Sequence, residues 1–182
     1  METVTANSNT YALLPDEFWH LIAEGSHLPH NILVGKGVCG STSVLARQPG
    51  LEAVSTMYGF QAQQDTKEQL WEGARLAEDE NLPTRIGSFF LFESEQLANA
   101  ANDNWYSKNK RQLVKARIVM PSRLHRADTV WLDCNDSDEA TWRTNAEKYW
   151  RGEMTENPFP EVIVDGALYF PDWKTIGKLF GT

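Results

Sequence analysis

The run at residues 113–120, LVKARIVM, constrains the fold more than any other segment, because its apolar side chains alternate along the chain. Val114, Ala116, Ile118 and Met120 would share one face of an extended strand, the pattern of a sheet with a buried face. Segments with apolar residues at helical spacing lie before and after this run. The predicted helices and strands do not alternate regularly along the chain. The sequence therefore predicts an α+β fold with a compact mixed sheet flanked by short helices.

The other predicted elements follow from periodicity, caps and breakers. Helices are predicted at residues 15–25, 66–81, 94–105 and 136–152 and from Pro171 onward, and strands at 32–34, 89–92, 129–132, 162–164 and 167–170. Ser94 is the predicted cap of the third helix, and Asp136 with Glu139 that of the fourth. Thr66 and Gln69 form a predicted capping box for the second helix. In the last helix Phe180 is predicted to face inward.

Length and composition fit a single domain over residues 1–182. The hydrophobic fraction is 41% and there are seven tryptophans, so most of the chain is expected to fold. Residues 1–10 are polar and are expected to be disordered. Residues 11–50 are expected to hold a helix, a strand and a glycine-rich loop, and residues 66–182 the main α+β block.

Charge and cysteine content restrict the partners and the compartment. The net charge of −8 argues against tight, nonspecific binding to nucleic acid, which requires a basic surface. The sequence contains no run of 18 apolar residues and no visible signal peptide, which predicts no membrane association. Two cysteines without a CxxC pattern favour a reducing compartment, so the expected location is the cytoplasm.

A G-x-G-x-x-G motif is formed by Gly35, Gly37 and Gly40, directly after an apolar segment. In a dinucleotide-binding fold such a loop brings backbone amides to a pyrophosphate at the start of a helix. Here Pro49 and Gly50 follow too soon for a long helix, and no second parallel strand with a terminal acid is visible. The motif is therefore interpreted as an ordinary loop.

No complete metal site is predicted. The segment DCNDSDE, residues 133–139, has acids at alternate positions, but Asp138 stands where a calcium loop needs glycine and Thr144 where it needs glutamate. The same acids suit the start of a helix. The four histidines show no zinc-binding spacing and are interpreted as loop residues.

The most informative block runs from residue 76 to residue 170. Arg85 stands just before an apolar strand, an alanine-rich helix and the alternating strand follow, and a helix ending in YWRG precedes Glu161, which opens a V-I-V strand. This arrangement resembles the ADP-ribosyltransferase-like superfamily, in particular its small bacterial and phage members. The resemblance covers a little over half of the chain.

The resemblance implies that the chain uses NAD⁺ as a substrate and transfers ADP-ribose to a macromolecular target, as a bacterial or phage effector. It assigns to Glu161 the catalytic role of the family's late-strand glutamate, which meets the nicotinamide ribose. It assigns Arg85, Ser88 and Phe90 to cofactor binding. A protein target is expected, and a nucleic acid acceptor stays open.

The block also departs from the better-known patterns of that superfamily. Phe159 stands where an E-x-E turn would have its first glutamate, and the serine-rich triplet at residues 41–43 comes too early in the chain. The basic residue of the first strand stays open among His30, Lys36 and Arg47.

The chemistry of Glu161 and Arg85 agrees with these roles. Breaking the bond between nicotinamide and ribose builds positive charge on the sugar, which a carboxylate shielded from water stabilises. An arginine can hold a pyrophosphate through two parallel hydrogen bonds.

Two other functions stay open. The chain could be a non-catalytic acidic binding or inhibitor protein that acts on a host protein. Less favoured is a Rossmann-like dinucleotide binder built on Gly35, Gly37 and Gly40.

Overall fold

The computed structural model describes residues 2–135 and 137–179. Within them the strands and helices follow one another as β1 (Thr3–Ala6), β2 (Asn9–Ile22), α1 (Leu28–Val34), β3 (Val38–Gly40), α2 (Thr42–Leu45), α3 (Met57–Ala62), α4 (Thr66–Glu78), β4 (Phe89–Leu91), α5 (Glu95–Trp105), β5 (Gln112–Asp128), α6 (Glu139–Trp150), β6 (Pro160–Tyr169) and α7 (Trp173–Leu179). A 3₁₀ turn, Thr129–Leu132, lies between β5 and α6. The predicted α+β class is confirmed.

The strands form one sheet in the order β1–β2–β5–β6–β3, and β4 also pairs with β6. The pairs β1–β2, β2–β5 and β3–β6 are antiparallel, so the prediction of a mixed sheet is wrong for these pairs. The chain is divided into two compact units. Unit 1 comprises Met1–Ser41, Phe90–Ser122 and Gly166–Thr182, and unit 2 comprises Thr42–Phe89 and Arg123–Asp165.

In unit 1 the N-terminus is ordered into a hairpin, where disorder of residues 1–10 was predicted. Strand β1 pairs with β2 from Thr3↔Ala12 to Ala6↔Asn9. The two residues between the strands, Asn7 and Ser8, both have positive φ angles, 49° and 67°. Tight two-residue hairpins require that conformation, and asparagine tolerates it well. The prediction missed this turn because the segment lacks an apolar pattern.

The predicted helix at residues 15–25 is wrong, because this segment belongs to β2. Phe18 pairs with Ala116 of β5, and Trp19 exchanges two backbone hydrogen bonds of 2.9 Å with Phe92 on the other side. These partners satisfy the backbone groups that a helix would otherwise satisfy internally. Pro15 lies in the register shift between Leu13 and Glu17, a position at which a strand tolerates proline.

The predicted strand at residues 32–34 is also wrong, since these residues end α1. Pro29 stands in the first turn of this helix, where its missing N–H costs nothing. Leu28–Val34 packs against α7.

The glycine loop consequently follows a helix and leads into β3, which is antiparallel to β6. It therefore lacks the strand–loop–helix setting of a parallel dinucleotide-binding fold. Its central residue, Gly37, has a φ of +96°, and a Cβ atom there would lie 2.8 Å from both Trp173 Cδ1 and Tyr169 Cε2. The loop glycines thus serve backbone conformation and packing.

We expect Gly37→Ala to destabilise the protein by about 2–4 kcal/mol, from backbone strain and from overpacking against two aromatic rings. Urea unfolding measures the loss. The matched control is Gly25→Ala, because Gly25 has a φ of +75° but open space around it, and its cost should be about 1 kcal/mol. Loss of NAD⁺ binding by Gly37→Ala at unchanged stability would instead favour a dinucleotide-binding loop.

In unit 2, helices α4 and α6 pack together. The Trp150 indole donates a 2.7 Å hydrogen bond to the Trp71 carbonyl, and both side chains are buried. Helix α4 begins at Thr66 as predicted, but its cap is Asp65, which accepts from the N–H groups of Lys67 and Glu68. This pair of tryptophans fixes α6 and therefore the residues at its end.

Several other predicted elements have clear outcomes. Strands at 89–92 and 113–120 and the Ser94 cap of α5 are confirmed, and segments 162–164 and 167–170 form a single strand, β6. Residues 129–132 were predicted as a strand but form the 3₁₀ turn, because Asp128 caps it through the N–H of Val130. Helix α6 is capped by Asp138. Asp136, predicted as a helix cap, and Phe180, predicted to face inward, lie outside the described residues.

Candidate functional site

Strand β6 carries two buried carboxylates in unit 2. Every residue from Pro160 to Gly166 is buried, including Glu161 and Asp165. Because side chains alternate along a strand, these two acids point to the same face, about 13 Å apart along β6. A strand that buries two acids must hold them with partners, since an unpaired buried charge is strongly unfavourable.

Glu161 is held by a buried arginine and a buried tyrosine. Its Oε1 atom accepts a 2.8 Å hydrogen bond from Arg85 Nη1 and a 2.5 Å hydrogen bond from the Tyr149 hydroxyl. Arg85 Nη1 also donates to the Tyr149 hydroxyl oxygen. Glu161 is 3% exposed, Arg85 8% and Tyr149 0%. The structure thus brings together Glu161 and Arg85, two predicted site residues 76 positions apart.

Two further side chains complete this group on the side of Arg85. Glu68 Oε2, from α4, lies 3.5 Å from Arg85 Nε. The Tyr58 hydroxyl, from α3, lies 3.5 Å from Arg85 Nη2, and Tyr58 as a whole is 36% exposed. We call these five residues, Tyr58, Glu68, Arg85, Tyr149 and Glu161, the Glu161 cluster. Tyr58 is its most exposed member.

The Glu161 cluster holds more negative than positive charge. Burial raises the pKa of Tyr149 well above its usual value, against the opposing charge of Arg85, so this phenol stays neutral. Burial by itself lowers the pKa of Arg85, but the oxygens of Tyr149 and the other members outweigh it and hold the pKa well above its usual value. Two glutamate side chains face one guanidinium, an arrangement that favours a cation in this low-dielectric surrounding.

The loop that carries Arg85 is fixed against the start of unit 2. The Gly87 carbonyl accepts 3.0 Å hydrogen bonds from the N–H of Ser43 and the hydroxyl of Thr42. A Cβ atom at Gly87 would lie 2.9 Å from Ser43 N, so only glycine permits this approach. Ser88, a predicted cofactor-binding residue, follows on the same loop. Its buried Oγ has no hydrogen-bond partner among the described residues, which is unusual for a buried polar atom.

Asp165 forms a second polar group on β6. Its Oδ1 accepts a 2.6 Å hydrogen bond from the Ser43 hydroxyl, and its Oδ2 accepts one from Arg47. The Arg47 side chain is 52% exposed. Of the three basic residues considered for the first-strand position, Arg47 lies in unit 2, whereas His30 and Lys36 lie in unit 1.

Phe90, also predicted to bind the cofactor, lies on β4 in unit 1. Its carbonyl oxygen is 2.9 Å from His20 Nδ1. Burial lowers the pKa of His20 to about 4 despite that hydrogen bond, and the charge of Arg111 lowers it further. His20 is therefore neutral at pH 7.

His125 is a neighbour of the Glu161 cluster that the sequence did not reveal. It lies on β5 and not in a loop, and its Nε2 donates a 2.9 Å hydrogen bond to the Tyr149 carbonyl. Its ring centroid is 5.2 Å from that of Trp150. Burial lowers its pKa, partly offset by the bond to Tyr149 and the charge of Glu161. The spacing rules for metal ligands could not have found it.

Asp128 anchors the segment that leads into Glu161. Its carboxylate accepts four hydrogen bonds of 2.7–3.1 Å, from the N–H groups of Val130, Thr155 and Phe159 and from the Thr155 hydroxyl. Burial alone would raise its pKa, but these bonds outweigh burial and lower it. Asp128 is 0% exposed, so its contribution depends on the ionised form.

We expect Asp128→Asn to lower the free energy of unfolding at pH 7 by about 3 kcal/mol, the scale of losing hydrogen bonds to a buried charged group. Because the folded-state pKa is lowered, the stabilisation is fully present above the unfolded pKa of about 3.9 and is lost as the pH falls through the folded pKa. Urea unfolding at pH 7 and pH 3 should therefore show a smaller difference at pH 3. Asp138→Asn, at an exposed helix cap where both residues serve well, is the control.

Metal ligands and membrane-spanning helices are not found in the described part of the chain. No group of three or more His, Cys, Asp or Glu residues there could hold a metal ion. The region of the DCNDSDE segment supplies the Asp138 cap instead. No described helix has the length and apolar character needed to cross a bilayer. That the protein needs no metal stays a prediction.

The fold and the site define an α+β protein with a buried carboxylate cluster on one strand of its sheet. Residues 42–172 match the family model described as protein of unknown function DUF2441. The match spans well over half of the chain, so the protein belongs to this family. All members of the Glu161 cluster and the Asp165 group lie within the matched residues. No curated protein matches the sequence.

Proposed function

We propose that the protein is an NAD⁺-dependent ADP-ribosyltransferase-like enzyme whose reacting centre is the Glu161 cluster. The observation that carries the proposal is the buried Glu161 carboxylate, held in place by Arg85 and Tyr149 in a group with excess negative charge. Such a carboxylate suits a reaction that builds positive charge on a sugar. The family resemblance of the sequence from residue 76 to residue 170 supports the choice of NAD⁺.

In the proposed reaction the bond between ribose C1′ and the nicotinamide nitrogen breaks, and its electron pair leaves with nicotinamide. The ribose then carries a cation-like charge, which the Glu161 carboxylate stabilises. The acceptor forms the new bond to C1′ and loses a proton. Glu161 need not move during this step, because hydrogen bonds from Arg85 and Tyr149 already fix Oε1.

The geometry changes the role that the resemblance implied for Arg85. All three nitrogens of its guanidinium face members of the Glu161 cluster, so they are engaged before any phosphate arrives. In the proposal Arg85 orients the Glu161 carboxylate. In the proposal the Ser88 hydroxyl, which has no hydrogen-bond partner within the described part of the chain, binds the substrate.

A second candidate function rests on the distribution of charge. Unit 2 contains 17 acidic and 9 basic residues, whereas unit 1 contains 8 of each, so the whole net charge of −8 belongs to unit 2. A strongly acidic surface attracts basic partners. A non-catalytic protein that binds a basic macromolecule through unit 2 would use this charge directly.

One experiment separates these functions and identifies the acceptor. The full chain is incubated with NAD⁺ labelled in the adenylate part and with cell lysate. The proposal predicts a labelled macromolecule, and protease or nuclease digestion then shows whether the acceptor is protein or nucleic acid. If no label is transferred, no nicotinamide is released and calorimetry finds no NAD⁺ binding, the enzyme proposal is wrong and the acidic binding protein takes its place.

A further inference from the structure

The segment between α6 and β6 connects Tyr149, at the end of α6, to Glu161, at the start of β6. These two residues are hydrogen-bonded to each other in the proposed site. Residue Phe159, two positions before Glu161, is fixed at both of its backbone polar groups. Its N–H donates to Asp128 Oδ1 at 2.9 Å. Its carbonyl accepts from the N–H of Thr129 at 3.0 Å and from the Thr129 hydroxyl at 2.8 Å.

Asp128 also holds the segment further upstream. Asp128 Oδ2 accepts from the N–H and the hydroxyl of Thr155, at 2.8 Å and 2.7 Å. Both Asp128 and Thr129 are buried, and both belong to unit 2 together with Glu161. Buried, charge-assisted hydrogen bonds are short and directional, so they restrict the backbone more than exposed contacts would.

We propose that Asp128 and Thr129 are positioning residues for Glu161, acting through the backbone of Phe159. This inference rests on the proposed function, because it concerns the carboxylate of the same site. Only Pro160 separates the clamped residue from Glu161, and the fixed φ of proline leaves little freedom in between. A displacement of Phe159 therefore passes to the Glu161 carboxylate and to its contacts with Arg85 and Tyr149.

Two threonine-to-valine variants distinguish positioning from general support. Thr129→Val removes the hydroxyl that binds the Phe159 carbonyl, while Thr155→Val removes a hydroxyl from the same network four residues farther from Glu161. Each variant loses one part-buried hydrogen bond, and the one lost in Thr155→Val is charge-assisted, so the melting temperature of Thr155→Val should fall at least as much as that of Thr129→Val. We expect nicotinamide release to fall about tenfold for Thr129→Val with KM for NAD⁺ unchanged, since small displacements of reacting groups are costly. Thr155→Val should stay within about twofold, and Thr129→Ser should restore the rate.

A second measurement tests the positioning role without any reaction. Carbon-13 NMR of the glutamate carboxyl groups, with the Glu161 signal assigned by its loss in Glu161→Gln, reports the surroundings of this carboxylate. The chemical shift of this signal should change in Thr129→Val and should be unchanged in Thr155→Val and Thr129→Ser. Equal effects of the two valine variants on rate and signal, or an unmoved signal in Thr129→Val, would overturn the inference. If the wild type leaves NAD⁺ intact while the signal moves as expected, the proposed function fails and the positioning role stands.

Discussion

Arg85→Met is expected to lower the free energy of unfolding by about 3–5 kcal/mol, the cost of removing one partner from a buried ion pair. The 2.8 Å contact of Arg85 with Glu161 and its 3.5 Å contact with Glu68 would both be lost. Methionine fills a similar volume, so the loss reports charge and hydrogen bonding more than packing. Urea unfolding at pH 7 measures it.

Arg151→Met is the matched control, because Arg151 pairs with Glu78 at 3.2 Å on the surface, with side chains 48% and 37% exposed. Exposed pairs contribute at most about 1 kcal/mol. Adding Glu161→Gln to Arg85→Met should recover part of the stability, because the orphaned buried charge is then removed. Equal losses for the Arg85 and Arg151 variants would show that the Glu161 cluster is not an electrostatic unit.

The structure explains why some elements could be predicted from the sequence. Helices α4 and α5 carry their own signals, apolar residues at helical spacing and the nearby acids or serines that cap them, as Ser94 caps α5. In strand β5 the predicted inward residues Val114, Ala116 and Ile118 are buried, whereas Met120, predicted on the same face, is 38% exposed. Such elements are determined by local interactions, so a single sequence is sufficient to find them.

The wrong predictions have the opposite cause. Residues 15–22 carry helical features, a proline followed by acids, yet they pair with β5 and with Phe92. Residues 129–132 carry a strand-like apolar pattern, yet the Asp128 side chain bends them into a 3₁₀ turn. In both cases a partner that is remote in sequence or a side-chain cap outweighs the local preference, and neither is visible in the apolar pattern.

The candidate site, like the fold, could be predicted only in part from the sequence. Glu161 and Arg85 were assigned from the family resemblance, by their positions before apolar strands, and the structure joins them. Tyr149 lies in the predicted helix that ends in YWRG, and Glu68 in the helix predicted at residues 66–81, and neither was predicted as a site residue. A buried phenol requires a hydrogen-bond partner, which could have marked Tyr149, but the identity of that partner depends on the fold.

Glu161→Gln is expected to separate turnover from binding. The amide keeps the shape of the side chain and removes the charge, and the positive charge that it would stabilise exists mainly in the transition state. The rate of nicotinamide release should fall by about a hundredfold or more, the scale of losing one electrostatic contact at a developing charge. The Kd for NAD⁺, measured by calorimetry, should change by less than about threefold, since ground-state binding uses this charge little. A large rise in Kd with an unchanged rate at saturation would assign Glu161 to substrate binding instead.

The most direct test of the Glu161 cluster as a reacting centre is the release of nicotinamide from NAD⁺ labelled in the nicotinamide ring. The wild type is compared with Glu161→Gln, and with Glu153→Gln and Glu156→Gln, which change exposed acids in the segment just before β6. We expect the wild type and the Glu153 and Glu156 variants to release nicotinamide at the same rate, and Glu161→Gln to release it about a hundredfold more slowly. Release by Glu161→Gln at the wild-type rate would contradict this expectation.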